Sequence, residues 1–585
     1  MTKASGIAPG ERQLAGVQTT GRAYRDLSEP RHDIVHTNNV AVPMRDGIAL
    51  HADIHRPDSV GKFPALIAIS PYPRQLQDFG LPIGFIEAGQ TDFFVPRGYA
   101  HVIANCRGTG GSGGTYELAG PAEHRDLYDL VEWVAAQPWC DGQVGMIGVS
   151  YFAIEQFNAA LQAPPHLKAI FPWSGTVDWY REICWHGGMP TGGFISKYFP
   201  AIGMVDRENE DFFRGAFFRI LNWFLHRPAL HRKLALPHAN PVSMLARALR
   251  FAYRTHPWDD VYLRVTAEHQ LYDDYWKQRD VTHELSRIRI PVYLGADWEN
   301  VSVHLQTPFL ALENLPADTP RRVTMAPRGA LQWPWESLHV EALAWYDHWF
   351  KGRDTGIMEG PPIRYYLEGA DEWREAETWP LPETRYEELH LCADGRLAAR
   401  DDAPGDRAYF YLPKNLDRPR NANPPPLPPV LAWDTARATE AVDVVGPIVL
   451  RLKAVSTAID TDWIVKLQDV APDGTARNLT QGWLRASHRA LDAVRSKPYR
   501  PEHPHDRAEA LVPGEAKWFE IAILPTAHRF RSGHRLRLAL TSEDDNGFAM
   551  QGMTHTGLGM PARNTIFSES ELVLPIQAGA FAGQS

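Results

Sequence analysis

Ser150 stands between two runs of different character. Residues 142–149 (GQVGMIGV) read as a buried strand, and residues 151–162 (YFAIEQFNAALQ) read as a helix. A serine on a sharp strand-to-helix turn exposes its hydroxyl. The turn also aims the next backbone N–H at a developing oxyanion, which is the setting of an acyl-transfer nucleophile. Gly145 and Gly148 allow strand and helix to approach closely, but Phe152 stands where G-x-S-x-G has its last glycine. A serine hydroxyl is a poor nucleophile at neutral pH unless a base takes its proton. The chemistry of this chain therefore turns on whether it supplies that base.

The elements around Ser150 predict an α/β fold. Residues 33–57 alternate apolar and polar on both sides of Arg45, Asp46 and Gly47, the pattern of a β-hairpin. The runs 64–72, 98–108, 142–150 and 167–175 are short and nearly all apolar, as strands buried on both faces of a parallel sheet are. Between them, residues 121–138 carry Leu127, Leu130, Val131, Val134 and Ala135 at helical spacing. Residues 176–285 break this alternation. They are rich in aromatic residues and predict a helical insertion, with helices over 212–226 and 241–254. Strands at 291–298 and 321–327 and helices at 303–315 and 335–352 resume the core, which closes near 355. Beyond it come short strands, among them 363–369, 444–456, 462–474 and 534–542, separated by Gly, Pro and Asp turns. They predict an antiparallel β-sandwich, with the Pro-rich stretch 418–429 as an extended loop. Residues 1–30 read as a loose arm. The expected organisation is a core over 1–175 and 286–355, a cap over 176–285 and a sandwich over 356–585.

Composition excludes several functions. The chain has 585 residues, 44% of them hydrophobic and 22% charged, and a formal net charge of −10. Nothing there attracts nucleic acid. Four separated cysteines with no CxxC argue against a disulfide scaffold or zinc site, and a reducing, cytoplasmic setting is expected. The N-terminus lacks the apolar run of a signal peptide, and no stretch approaches a membrane span. No cofactor and no metal are expected. The expected partner is a small-molecule substrate, and the apolar bulk permits a homodimer.

The motifs VPMRDGIALHADIHRP (42–57), SPY (70–72), CRGTGGSGG (106–114), DLVEWVAAQPW (129–139), GQVGMIGVSYFA (142–153), HGG (186–188), HWFKG (348–352) and SGHRLRLAL (532–540) occur in order. With them the chain resembles the CocE/NonD serine hydrolases, the group of cocaine esterase and X-prolyl dipeptidyl-peptidase. The resemblance implies an α/β-hydrolase core, a helical cap and a C-terminal jelly-roll. It implies Ser150 as nucleophile, with the Tyr151 backbone N–H and the Tyr72 hydroxyl as oxyanion donors. The family's acid and histidine are replaced. Asn300 stands at the acid position of W-x-D. No histidine follows the strand 321–327, and Arg328, or by another register Ala330, takes its place.

An arginine cannot act as base, and an asparagine cannot stabilise an imidazolium as a carboxylate does. Substitutes are sought in His186, His304, His339, Glu299 and Asp297. Glu299, His186 and Trp173 are the candidate substrate contacts. Three functions follow. The first is a hydrolase or acyltransferase of an ester or amide with a non-standard base. The second is a lyase, isomerase or cyclase using the oxyanion hole with Arg328 as anion binder. The third is an inactive binding protein.

Overall fold

The structure, a computed structural model, describes residues 22–77, 87–205, 257–299, 303–328, 334–413, 427–544 and 554–581. The helices expected over 212–226 and 241–254, the residues Asn300 and Ala330, and the Pro-rich stretch up to 426 lie outside them.

The chain opens on the expected hairpin. Strand β1 (Ile34–Pro43) pairs antiparallel with β2 (Ala49–Pro57). Gly47, at φ +88°, supplies the left-handed residue the turn needs. Then follow β3 (Phe63–Ser70), β4 (Ala100–Asn105), helix α1 (Pro121–Ala135), β5 (Cys140–Val149), helix α2 (Tyr151–Gln162) and β6 (Leu167–Trp173). The insertion contains helix α3 (Gly192–Val205). After it come β7 (Val292–Asp297), α4 (Thr307–Asn314), β8 (Arg321–Ala326), α5 (Pro334–Lys351), β9 (Ile363–Leu367) and β10 (Glu372–Ala376). One ten-stranded sheet runs β1-β2-β4-β3-β5-β6-β7-β8-β9-β10. From β4 to β9 all neighbours are parallel. The near-continuous apolar runs are explained by this, since β3, β4 and β7 are buried on both faces.

Two expectations are corrected. The strand 363–367 belongs to this sheet rather than to the sandwich, because Val323, Thr324 and Met325 pair in parallel with Ile363, Arg364 and Tyr365. The segment 22–30 is not loose. Ser28 donates its backbone N–H and its hydroxyl to Asp347, at 2.6 and 2.7 Å, and Arg22 and Arg25 pair with Glu375 and Asp354.

The C-terminal region folds into a β-sandwich built on an eleven-stranded antiparallel sheet with its own core around Trp433, Trp463 and Leu450. Its two long strands, Val442–Ser456 and Lys517–Phe530, pair with each other. The first sheet is stitched to it just beyond β9. The Glu368 N–H donates to the Ala527 carbonyl at 3.0 Å, and the Glu368 carbonyl accepts from Arg529 N–H at 2.7 Å. Among the described residues no helix is long and apolar enough to cross a membrane.

Candidate active site

Strands β3 and β5 lie side by side and parallel, so their carboxyl ends open on one edge, where sites in such sheets form. Ser150 follows β5 directly, and Tyr72 lies two residues past β3. Ser150 sits at φ 60°, ψ −119°. A non-glycine residue holds such a backbone at a cost of about 1–3 kcal/mol, and only when its surroundings enforce it. Here they do. The Ser150 N–H donates to the Trp173 carbonyl at 3.2 Å, and the Ser150 carbonyl accepts from Ala153 and Ile154 at 2.9 and 3.0 Å. Tyr151 is the first residue of α2, so its N–H has no acceptor within the helix. Phe152 is accommodated because position 148 is glycine: a Cβ there would lie 2.2 Å from the Phe152 Cβ.

Tyr72 is held by its own loop. Asn105 at the end of β4 donates to the carbonyls of Ser70 and Tyr72 at 3.2 and 2.8 Å, and the Tyr72 N–H donates to the Ser70 hydroxyl at 3.0 Å. Arg74 donates to the Asn105 side-chain oxygen at 2.8 Å. A Cβ on Gly110 would meet that same oxygen at 2.1 Å, so the glycine-rich run CRGTGGSGG gives Asn105 its space. The Tyr72 phenol is buried, and the Ser150 side chain lies close enough to act on it. Burial raises its pKa well above the usual phenol value, so it carries its proton at neutral pH. The Tyr151 ring points elsewhere. Its hydroxyl accepts from the Ala119 N–H and the Tyr116 hydroxyl, at 3.0 and 3.1 Å, and donates to Glu123 at 3.3 Å.

The structure distributes the other predicted residues widely. Arg328 does not face Ser150. Its guanidinium donates to the Leu479 carbonyl of the second domain and lies 3.8 Å from Glu368, whose carboxylate also takes the Arg328 N–H at 3.0 Å. Glu299 and Asp297 contribute their charge to Arg328. Trp173 packs into the sheet. Its side chain is fully buried and covers Gly295, and its contribution to the site is the carbonyl that takes the Ser150 N–H.

His186 is engaged by protein groups on both sides. It donates to the Glu182 carbonyl and meets His555 of the second domain, both at 2.9 Å, and its ring stacks on Trp483. Both ring nitrogens are thus engaged, and burial pushes its pKa down to about 3. His339 is fully buried and stacked on Phe93.

His304 differs from these two. Its Nδ1 lies 2.9 Å from the Gly175 carbonyl. A carbonyl can only accept, so Nδ1 carries the proton and Nε2 holds the basic lone pair. Gly175 packs on the first turn of α2, for a Cβ there would lie 3.2 Å from the Ala153 Cβ. Burial lowers the His304 pKa to about 4.

Three features escaped the sequence reading. Tyr198 of α3 reaches across to the Tyr72 hydroxyl, O to O 2.9 Å. Glu87 accepts the Val149 N–H at its carbonyl, 3.0 Å away, while burial pushes its carboxyl up to about 8. Among the described residues, Cys106, Glu123 and Glu155 bring ligand atoms within 4.8 Å of one another, a group that could hold a metal ion. Burial raises the Glu123 pKa to about 7 and that of Glu155 well above its usual value, which weakens both carboxyls as ligands of a cation. No motif announced any of the three: Tyr198 is one of twenty tyrosines, in a stretch rich in aromatics.

Comparison with known proteins agrees with the fold. A family model described as X-Pro dipeptidyl-peptidase (S15 family) matches residues 46–329, and one described as X-Pro dipeptidyl-peptidase C-terminal non-catalytic domain matches residues 355–570. Cocaine esterase of Rhodococcus sp. is 27% identical over 562 residues, spanning 87% of this chain and 90% of that protein. A CocE/NonD family hydrolase from Staphylococcus aureus superposes with a TM-score of 0.73 at 23% identity, over 93% of this chain and 94% of the other. An aminopeptidase from a marine sediment Thaumarchaeota archaeon does so with 0.70 at 19% identity, over 93% and 96%. The two structures speak to the fold.

Proposed function

The chain belongs to the X-Pro dipeptidyl-peptidase S15 family of serine hydrolases, and from that membership we propose that it hydrolyses an ester or amide of a small molecule through Ser150. The observation that carries the reading is the strained backbone of Ser150 beside the Tyr72 phenol. In the proposed reaction the Ser150 Oγ attacks the carbonyl carbon. The oxyanion accepts hydrogen bonds from the Tyr151 N–H and the Tyr72 hydroxyl, two neutral donors fixed before the charge develops. The base we assign is His304, whose Nε2 takes the serine proton and returns it to the departing alcohol or amine. Water then attacks the acyl-enzyme, giving its proton to the same nitrogen, and Ser150 recovers a proton as the acid leaves. The Gly175 carbonyl fixes the tautomer as a triad carboxylate does. It stabilises the imidazolium less, so a slower enzyme than a complete triad is expected. The reading with Arg328 as anion binder is not retained, since that guanidinium is held by Leu479 and Glu368.

Intact-mass analysis after incubation with a fluorophosphonate probe tests this. One adduct is expected, mapping to Ser150. No adduct on the folded chain would reject the proposal. His304→Ala is expected to slow labelling by about 10²–10⁴-fold; an unchanged rate would remove His304 alone. The base works only when neutral, and its pKa is lowered to about 4. The labelling rate should therefore hold as pH falls through 6.5 and decline only near 4. A decline centred between 6 and 7 would contradict the assignment.

A further inference from the structure

The Tyr72 hydroxyl has one proton, and among the described residues the Tyr198 oxygen lies 2.9 Å from it while the Ser150 side chain acts on the same phenol. An oxyanion donor must keep that proton for the substrate. If Tyr72 donated to Tyr198, it would have nothing left to give. The arrangement that leaves Tyr72 its proton has Tyr198 as donor, its O–H directed at the Tyr72 oxygen. Both phenols are buried, and burial raises the pKa of each above the ordinary phenol value, so each retains its proton at neutral pH. A phenol that accepts a hydrogen bond is itself a stronger donor, because linked hydrogen bonds polarise one another.

Tyr198 is also well anchored. Its ring stacks on Phe194 at 4.9 Å and meets Tyr72 edge-on at 6.5 Å. The first turn of α3 is fixed to the second domain: the Gly193 N–H donates to the Thr554 carbonyl at 2.7 Å, and the Thr556 N–H donates to the Pro190 carbonyl at 2.9 Å. The close approach requires glycine at 192, where a Cβ would meet the Thr556 hydroxyl oxygen at 1.8 Å.

We infer that Tyr198 is a positioning residue of the cap, whose hydroxyl donates to Tyr72 and so directs the single Tyr72 proton at the substrate oxyanion. The inference rests on the reading of Tyr72 as an oxyanion donor. It gives the second domain a share in the chemistry without a group at the reacting atoms, since that domain fixes the helix that carries Tyr198.

A double-mutant cycle on Tyr72→Phe and Tyr198→Phe tests it, with kcat and KM measured on p-nitrophenyl butyrate and a thermal melt for each variant. Tyr72→Phe is expected to lower kcat about 100-fold with KM within twofold. Tyr198→Phe should lower kcat about tenfold, again with KM unmoved. The double variant should be no slower than Tyr72→Phe, because the Tyr198 proton acts only through the Tyr72 oxygen. A tenfold loss that persists in the Tyr72→Phe background, a loss confined to KM, or no loss with Tyr198→Phe would overturn the inference and leave the oxyanion hole standing. Full kcat in Tyr72→Phe would overturn the oxyanion reading itself. A wild-type chain that neither turns over the ester nor reacts with the fluorophosphonate would overturn both.

Discussion

Ser150→Gly is expected to abolish turnover and to make the fold more stable. Removing the nucleophile of a serine hydrolase costs roughly 10³-fold or more in kcat. The stability gain has a separate origin. At φ 60° and ψ −119°, Ser150 holds a backbone that glycine adopts freely and other residues adopt under strain. Releasing about 2 kcal/mol of strain, against about 1 kcal/mol for the extra freedom of glycine in the unfolded chain, leaves a net gain of about 1 kcal/mol. For a core of this size that raises Tm by about 1–2 °C. Ser150→Ala keeps the Cβ and should leave Tm unchanged while losing the same activity. Calorimetry and an ester assay on both variants decide it. A glycine variant that melts below the alanine variant would mean that the elbow is unstrained. Retained turnover would mean that Ser150 is not the nucleophile.

Gly295→Ala is expected to damage the core severely for a single methyl. Gly295 lies on β7 beside Trp173 of β6, and a Cβ there would stand 2.1 Å from the indole ring. The ring has nowhere to go, because Trp173 is fully buried. The backbone cannot yield either, because the Ser174 N–H donates to the Gly295 carbonyl at 2.7 Å. Overpacking of this kind costs about 3 kcal/mol. The damage should also reach the site, since the Trp173 carbonyl holds the Ser150 N–H. A urea midpoint clearly below wild type, together with slower fluorophosphonate labelling, is the expected pair of results. A wild-type midpoint would refute the placement of the Trp173 ring.

The core was legible because burial and backbone geometry write themselves into local patterns. The apolar runs at 64–72, 98–108 and 142–150 suited strands covered on both faces, and the turn at Ser150 needed its glycines close by in sequence. What failed was direction. Motif spacing put Arg328 near the expected histidine position, but a position does not say where a guanidinium points. Its partners, Glu368 and Leu479, lie 40 and 151 residues further along. Trp173 was read as a pocket aromatic for the same reason, when the space above Gly295 claims its ring. Tyr198 was unreadable because its role exists only through Tyr72, 126 residues away. The arm at 22–30 has no apolar period, so nothing local revealed that Asp347 would hold it.

The stitch at Glu368 sets how this chain can be divided. One family model ends at residue 329 and the other begins at residue 355, which invites a cut just before 355. Such a cut would remove β9 and β10 and leave β8, a buried parallel strand, as a bare edge. A naked apolar edge is a template for pairing with other copies. The isolated N-terminal half should therefore scatter light as it concentrates, whereas the full chain should not. The two modules are exchangeable in sequence space only as a pair, because the boundary between them runs through a sheet.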